Sequence, residues 1–482
     1  MTPDVRVRAL NQAPLQPGRD YVLYWMTSFR RARWNFSLQR AVEHAVALGK
    51  PLIVFEPLRV GYEHASDRLH AFVLQGMAEN QRRFAGSGAH YVPFVEREAG
   101  HGKGLLAALA ARACVLVGDD WPCFFVPQMQ AAAARQVDVR FEVVDSNGLY
   151  PMHHTTRVFT TAHSFRTHLQ KVLPPHLLQL PREDPLAGVK LRPLGALPKA
   201  VSSRWRPGLV EAGALASLPI DHAVGPVSLE GGSAAGEARL MRFVDERLAD
   251  YAEARNEPEV DGTSMLSPYL HFGHVSSHQL FARIARQERW EVKRLGKSIG
   301  GAREGWWKLS PAAEAFVDQF VTWRELGFNL SSHRPETYRS LDSLPGWARA
   351  TIAAHAQDER PHLYSLAQLE RCQTHDPLWN AAMGQLRREG WFHNYLRMLW
   401  GKKIYEWSKT AADALFAMEH LMGKYSLDGR DPISWSGYFW VLGRYDRAWG
   451  PERKIFGKLR YMSSQNTAKK IAVKQYIAKY GG

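Results

Sequence analysis

Three tryptophans stand where aromatic chemistry could be done. Trp400 and Trp407 are seven residues apart in an apolar helical stretch, two turns along one face, so their rings can lie close together. Trp379 comes from the segment before it, expected to be the partner helix. Indole is the readiest neutral aromatic side chain to oxidise, so closely spaced rings can pass a charge; packing between two helices would use the same residues. A second stretch, Asp261-Gly-Thr-Ser-Met-Leu-Ser-Pro-Tyr-Leu-His-Phe-Gly273, places the hydroxyls of Thr263, Ser264 and Ser267 ahead of a helix expected to begin near Pro268. Hydroxyls there can cap the helix, and the exposed N–H groups of the same turn can hold a phosphate.

Charge and composition narrow the partners. Sixty-two Lys and Arg against 47 Asp and Glu give a net charge of +15, which attracts polyanions and makes binding salt-dependent. A generally basic soluble protein has the same balance. The 16 tryptophans, many of them beside basic residues in the C-terminal half, favour base stacking or the housing of a planar cofactor. The three cysteines, Cys114, Cys123 and Cys372, have neither a pairing pattern nor metal-ligand spacing, which fits a reducing, cytoplasmic setting. No apolar run reaches the roughly 18 residues of a membrane span, and the first ten residues lack the apolar core of a signal peptide.

The elements that must position these residues fall into two parts. Up to about residue 150, short apolar runs at 21–25, 51–55, 90–95, 114–117 and 139–144 alternate with helix-length segments, which predicts βαβ units and a parallel, Rossmann-like sheet. No GxGxxG follows the first strand. From about 175 to 235, Pro, Gly and small residues mark a connector, and from about 237 the chain reads as helical nearly to its end. The expected domains are an α/β domain at 1–174, a linker at 175–236 and an all-helical domain at 237–482.

Several segments resemble the photolyase/cryptochrome family, and its class II branch in particular. Thr263–Gly273 is similar to the TSxLSPYLHFG segment with which that family holds the diphosphate of FAD. Asp376-Pro-Leu-Trp-Asn-Ala-Ala382 and Gly390–Trp407 resemble the class II DPxWNA and MHGYMRMYWxKKILEW segments. Tyr425–Pro432, Asp446–Trp449 and Ile455–Met462 resemble YELDGRDP, HDRAW and FGKIRYM, and Tyr24-Trp25-Met26 through Asn35 and Leu38 resembles the class's opening. The matches span both parts of the chain in the expected order.

The resemblance implies roles. It makes Trp400, Trp379 and Trp407 an electron-transfer chain, with Trp400 nearest the flavin and Trp407 outermost. It assigns Tyr251, Thr263, Ser264, Leu266, Ser267, Asn394, Arg397 and Asp428 to the FAD, the last two as a buried ion pair that favours a negatively charged reduced ring; a fold-stabilising salt bridge is compatible with that. Trp323 and Trp440 match residues that flank a pyrimidine dimer flipped from double-stranded DNA, and Lys458 and Arg460 are assigned to phosphate contacts. Two positions depart from the pattern. Gln319 falls where the class has a glutamate that contacts the pyrimidine; glutamine hydrogen-bonds but transfers no proton. Met422 replaces an asparagine at the flavin N5 edge, and its thioether is only a weak acceptor. Phe392-His393-Asn394 also resembles the MHN of other photolyases more than MHG.

The implied function is blue-light repair of cyclobutane pyrimidine dimers by electron transfer from reduced FAD, in a monomer with no membrane contact. The alternative is a cryptochrome-like photoreceptor on the same scaffold, with weak or no repair. The resemblance leaves room for a deazaflavin or folate antenna.

Overall fold

In the computed structural model, which describes residues 1–209 and 214–481, the chain forms two compact units. Unit 1 comprises Met1–Thr155, Leu173–Met241 and Leu266–Gln287; unit 2 comprises Thr156–Val172, Arg242–Met265 and Glu288–Gly482. Residues 210–213, inside the predicted linker, lie outside the described residues.

Unit 1 is built on a six-stranded sheet. Its strands are β1 (Val7–Ala9), β2 (Tyr21–Trp25), β3 (Leu52–Leu58), β4 (His90–Val95), β5 (Ala113–Asp119) and β6 (Phe141–Val144), in the spatial order β1-β6-β5-β2-β3-β4. The five predicted strands pair in parallel; β1 adds an antiparallel edge against β6 that the sequence reading did not anticipate. The strands read as unbroken apolar runs because both faces are covered. Tyr21, Leu23 and Trp25 enter one core with Ile53, Phe55 and Phe141, while Val22 and Tyr24 enter the other with Leu52, Val54 and Val117. Helix α1 (Phe36–Leu48) lies on the second face; Asn35 starts it by accepting hydrogen bonds from the N–H groups of Ser37 and Leu38 at 2.9 and 3.2 Å.

Among its described residues, unit 2 has helices and no strand. Those that carry the predicted site are α2 (Tyr251–Ala254), α3 (Pro311–Val317), α4 (Arg324–His333), α5 (Pro377–Glu389), α6 (Asn394–Trp407), α7 (Ala411–Tyr425) and α8 (Pro432–Val441). Two of them open on the same device. Asp376 and Asp431 each cap a helix whose first residue is proline: Asp376 accepts from the N–H groups of Leu378 and Trp379, and Asp431 from that of Ile433. The cap thereby fixes Trp379 in the first turn of α5. The expected α/β part and helical part are both present. Among the described residues, no helix is long and apolar enough to cross a membrane.

Candidate active site

Helix α6 is the spine of the site in unit 2. Trp379 of α5 reaches across it and touches both of its tryptophans. The Trp379 and Trp400 rings are parallel to within 1°, with centroids 6.3 Å apart, and Trp379 meets Trp407 edge-on at 5.5 Å. Trp379 also donates its indole N–H to the backbone oxygen of Trp400 at 3.1 Å, which locks the pair in orientation. The continuous order is therefore Trp400, Trp379, Trp407. All three are buried, Trp407 to within 2 %, so the outermost indole does not itself meet solvent. Tyr364 and His375 cover it, with ring centroids 5.3 and 5.4 Å from Trp407. The Tyr364 hydroxyl lies 2.7 Å from Nδ1 of His375 and accepts that residue's backbone N–H at 3.0 Å.

One turn before Trp400, Arg397 pairs with Asp428, its Nη2 standing 3.3 and 3.5 Å from the two carboxylate oxygens. The Ser426 hydroxyl donates to the same carboxylate at 2.6 Å. Arg397 Nε and Trp400 Nε1 are buried and find no hydrogen-bond partner among the described residues. Three residues apart on α6, they share a face. The buried Met422 closes in on the same region through its backbone: a Cβ on Gly429, the residue after Asp428, would lie 2.0 Å from the Met422 oxygen. Asn394, at the start of α6, is exposed.

The hydroxyl-bearing stretch is divided between the units. In unit 2, Thr263 and Ser264 are half-buried in a segment anchored by Arg247, which donates to the Asp261 backbone oxygen at 2.7 Å and pairs with its carboxylate. Tyr251 is buried between Phe243 and Phe316, which pushes its phenol up to about 12. Leu266 and Ser267 belong to unit 1, where the helix Ser267–His271 is only five residues long and has no side-chain cap. The capping reading of these hydroxyls is thus not realised at this helix.

Gln319 and Trp323 share a feature that periodicity does not reveal. Residues Asp318–Trp323 form a π-helical turn between α3 and α4. Such wide turns are rare and concentrate at functional sites. Asp318 is held by Arg166 through two hydrogen bonds, 2.7 and 3.2 Å, and Arg324 lies 3.8 Å from Asp431 in a buried ion pair. Gln319 and Trp323 are both half-buried.

The remaining predicted residues gather at the C-terminal end of α8. The Arg460 guanidinium lies 5.5 Å from the Trp440 ring and 4.2 Å from that of Trp449. It also grips Asp446 with two hydrogen bonds, 2.7 and 3.2 Å, and Trp449 donates to Asp446 at 3.2 Å. Beside Arg460, these charges hold Asp446 below the usual carboxylate range. Lys458 is exposed, 3.2 Å from Glu452. Arg460 is therefore engaged by its own protein, while Lys458 faces solvent.

Comparison with known proteins gives these clusters a context. The chain is 30% identical over 478 residues to a deoxyribodipyrimidine photo-lyase of Methanothermobacter thermautotrophicus, covering 99% of this chain and 98% of the relative. The chain belongs to the photolyase/cryptochrome family. Enzymes of the same name from Oryza sativa subsp. japonica and Potorous tridactylus are 33% and 31% identical, each over 98% of this chain and over 90% and 84% of their own lengths. A bacterial class III photolyase from Agrobacterium tumefaciens has the same fold, with a TM-score of 0.68 over 96% of this chain and 86% of its own, at 18% identity. No family model matches.

In this family member, sequence reasoning passed over Tyr364, His375, Lys402, Asp446 and Trp449 as parts of the site. The first two come from a loop and the start of another segment, and only tertiary folding joins them. Lys402 was visible as half of a Lys-Lys pair on an apolar helix, a charge where burial was to be expected.

Proposed function

We propose that this chain is a light-driven DNA-repair enzyme of the class II kind, which splits cyclobutane pyrimidine dimers using FAD. The observation that carries the proposal is the unbroken chain of indole contacts Trp400–Trp379–Trp407, which begins one helical turn from the Arg397–Asp428 pair. The residues fit a flavin: two buried donors without partners, Arg397 Nε and Trp400 Nε1, lie on one face of α6 beside a carboxylate and a cation. When bound, FAD supplies light absorption and the electron that opens the dimer and is afterwards recovered.

The chain's own residues do the rest. Thr263, Ser264 and Ser267, with Leu266, hold the diphosphate; Tyr251, Asn394 and Met422 line the cofactor, and Arg397 favours negative charge on its ring. The indole chain passes electrons inward, and the Tyr364–His375 pair forms its outer end. Trp323 and Trp440 stack on the dimer once it has left the duplex, a contact worth about 1–3 kcal/mol per base. Gln319 hydrogen-bonds the pyrimidine without supplying a proton. Lys458, Arg460 and the net charge of +15 draw in the phosphate backbone. The domain reading that goes with this places an α/β domain at 1–174, with room for a deazaflavin or folate antenna, a linker at 175–236 and the catalytic domain at 237–482. A cytoplasmic monomer is the form proposed.

The test is chromatography of a dimer-containing oligonucleotide after blue-light exposure with the wild-type protein and with Gln319→Glu. Repair by the wild type is the expected result. Repair by the glutamate variant alone would favour the photoreceptor reading, for which Gln319 and Met422 speak. No repair by either, in a protein carrying reduced flavin, would overturn the enzyme.

A further inference from the structure

Lys402 is completely buried, and its Nζ donates a single hydrogen bond, 2.5 Å to the backbone oxygen of Val441, the last residue of α8. An ammonium without a buried counterion is costly to bury. Burial depresses this one to about 7, with Asp446 favouring the charged form and Arg460 opposing it. Packing alone does not call for a lysine, since a methionine fills nearly the same space without the desolvation. The position does. Nζ lies 5.3 Å from the ring of Trp440, the residue just before the carbonyl that it caps. Gly401 makes the approach feasible: a Cβ there would stand 2.6 Å from Cγ2 of Val441 and 3.1 Å from Sδ of Met418. Arg460, fastened to Asp446, reaches the same indole at 5.5 Å. A helix end carries unsatisfied carbonyls and negative partial charge, which a lysine side chain answers on both counts. Here that answer fixes the last turn of α8 and the indole it bears.

We propose that Lys402 is a positioning residue for Trp440: it clamps the end of α8 to α6 and so holds the indole as a preset stacking platform for an extruded base. The inference rests on the reading of Trp440 as a DNA-side residue.

The experiment uses the full-length, flavin-loaded protein with Lys402→Met, which removes the donor, and Lys402→Gln, which keeps a donor without the charge. The indole N–H resonance of Trp440, assigned with Trp440→Phe, reports the seat. Binding to a dimer-containing duplex and to the same duplex undamaged reports the platform. Expected for Lys402→Met are a displaced or broadened Trp440 resonance and about a tenfold loss of dimer affinity, roughly one stacking contact. Affinity for the undamaged duplex should stay near wild type, the thermal midpoint at pH 7 should not fall below it, and Lys402→Gln should recover part of both losses. An unmoved resonance with unchanged dimer affinity overturns the proposal. So does an equal loss for both duplexes that tracks a fall in thermal midpoint, which would mark a purely structural lysine. If Trp440→Ala leaves dimer affinity untouched while Lys402→Met still shifts the resonance, the clamp is supported and the DNA-side reading of Trp440 fails.

Discussion

Trp379 and Trp400 lie parallel at 6.3 Å, and among the described residues no cation stands over either ring. Trp440 and Trp449, in the same unit, share the Arg460 guanidinium, and Trp440 has Lys402 beside it as well. A positive charge near an indole opposes the removal of an electron, because the oxidised ring would itself be positive. Rings stacked on rings lack that penalty. The indoles of the C-terminal half thus include two populations: the Trp379–Trp400 pair, with no cation over its rings, and Trp440 and Trp449, which have one. Trp407, at the outer end of the chain, has the Lys403 ammonium 5.6 Å from its ring, itself paired with Glu406 at 2.8 Å.

Substitutions should pull these populations apart. The largest effect is expected from Trp379→Phe, which puts a phenyl ring, far harder to oxidise, in place of the indole that touches both of the others. Light-driven reduction of the bound flavin, followed by flash absorption, should all but cease while dimer affinity holds. Loss of affinity instead would erase the distinction between the clusters. Next comes Trp440→Ala, which should weaken binding to a dimer-containing duplex by about 1–3 kcal/mol in a titration and leave flavin reduction unaltered.

A third measurement sharpens the comparison through pH. The folded-state pKa of Lys402 is depressed from its ordinary 10.5 to about 7. Between those values the unfolded chain binds the extra proton, so stability must rise with pH across that window and the burial penalty is complete below pH 7. The thermal midpoint of the wild type should therefore gain on that of Lys402→Met between pH 7 and 9, with a slope of at most about 1.4 kcal/mol per pH unit. The smallest effect is expected from Tyr364→Phe. With the hydroxyl that faces His375 gone, the oxidised Trp407 should persist longer in transient absorption, while its formation is unchanged.

Much of this was legible in the chain. The five parallel strands declared themselves as apolar runs because both sheet faces are buried, and the helical character of the chain from about 237 onward was legible in its composition and periodicity. The edge strand β1 did not, because it is three residues long and only Val7 among them is half-buried, too short a run to carry a hydrophobic signal. The placement of Trp379 across from α6 followed from its segment, but the solvent-excluded state of Trp407 did not. That depends on Tyr364 and His375, whose meeting needs the folded chain. Arg460 was assigned to phosphate by its type, yet its partner Asp446 lies 14 residues earlier and was invisible as a partner.

The π-helical turn at Asp318–Trp323 works as a register setting. It takes one more residue per turn than the helices on either side. Deleting Phe320, Val321 or Thr322 would let the turn return to ordinary winding and change the facing of Gln319 relative to Trp323. The facing of Gln319 relative to Trp323 is therefore decided by a length rather than by a side chain, and a one-residue deletion there could retarget the site while leaving every named residue in place.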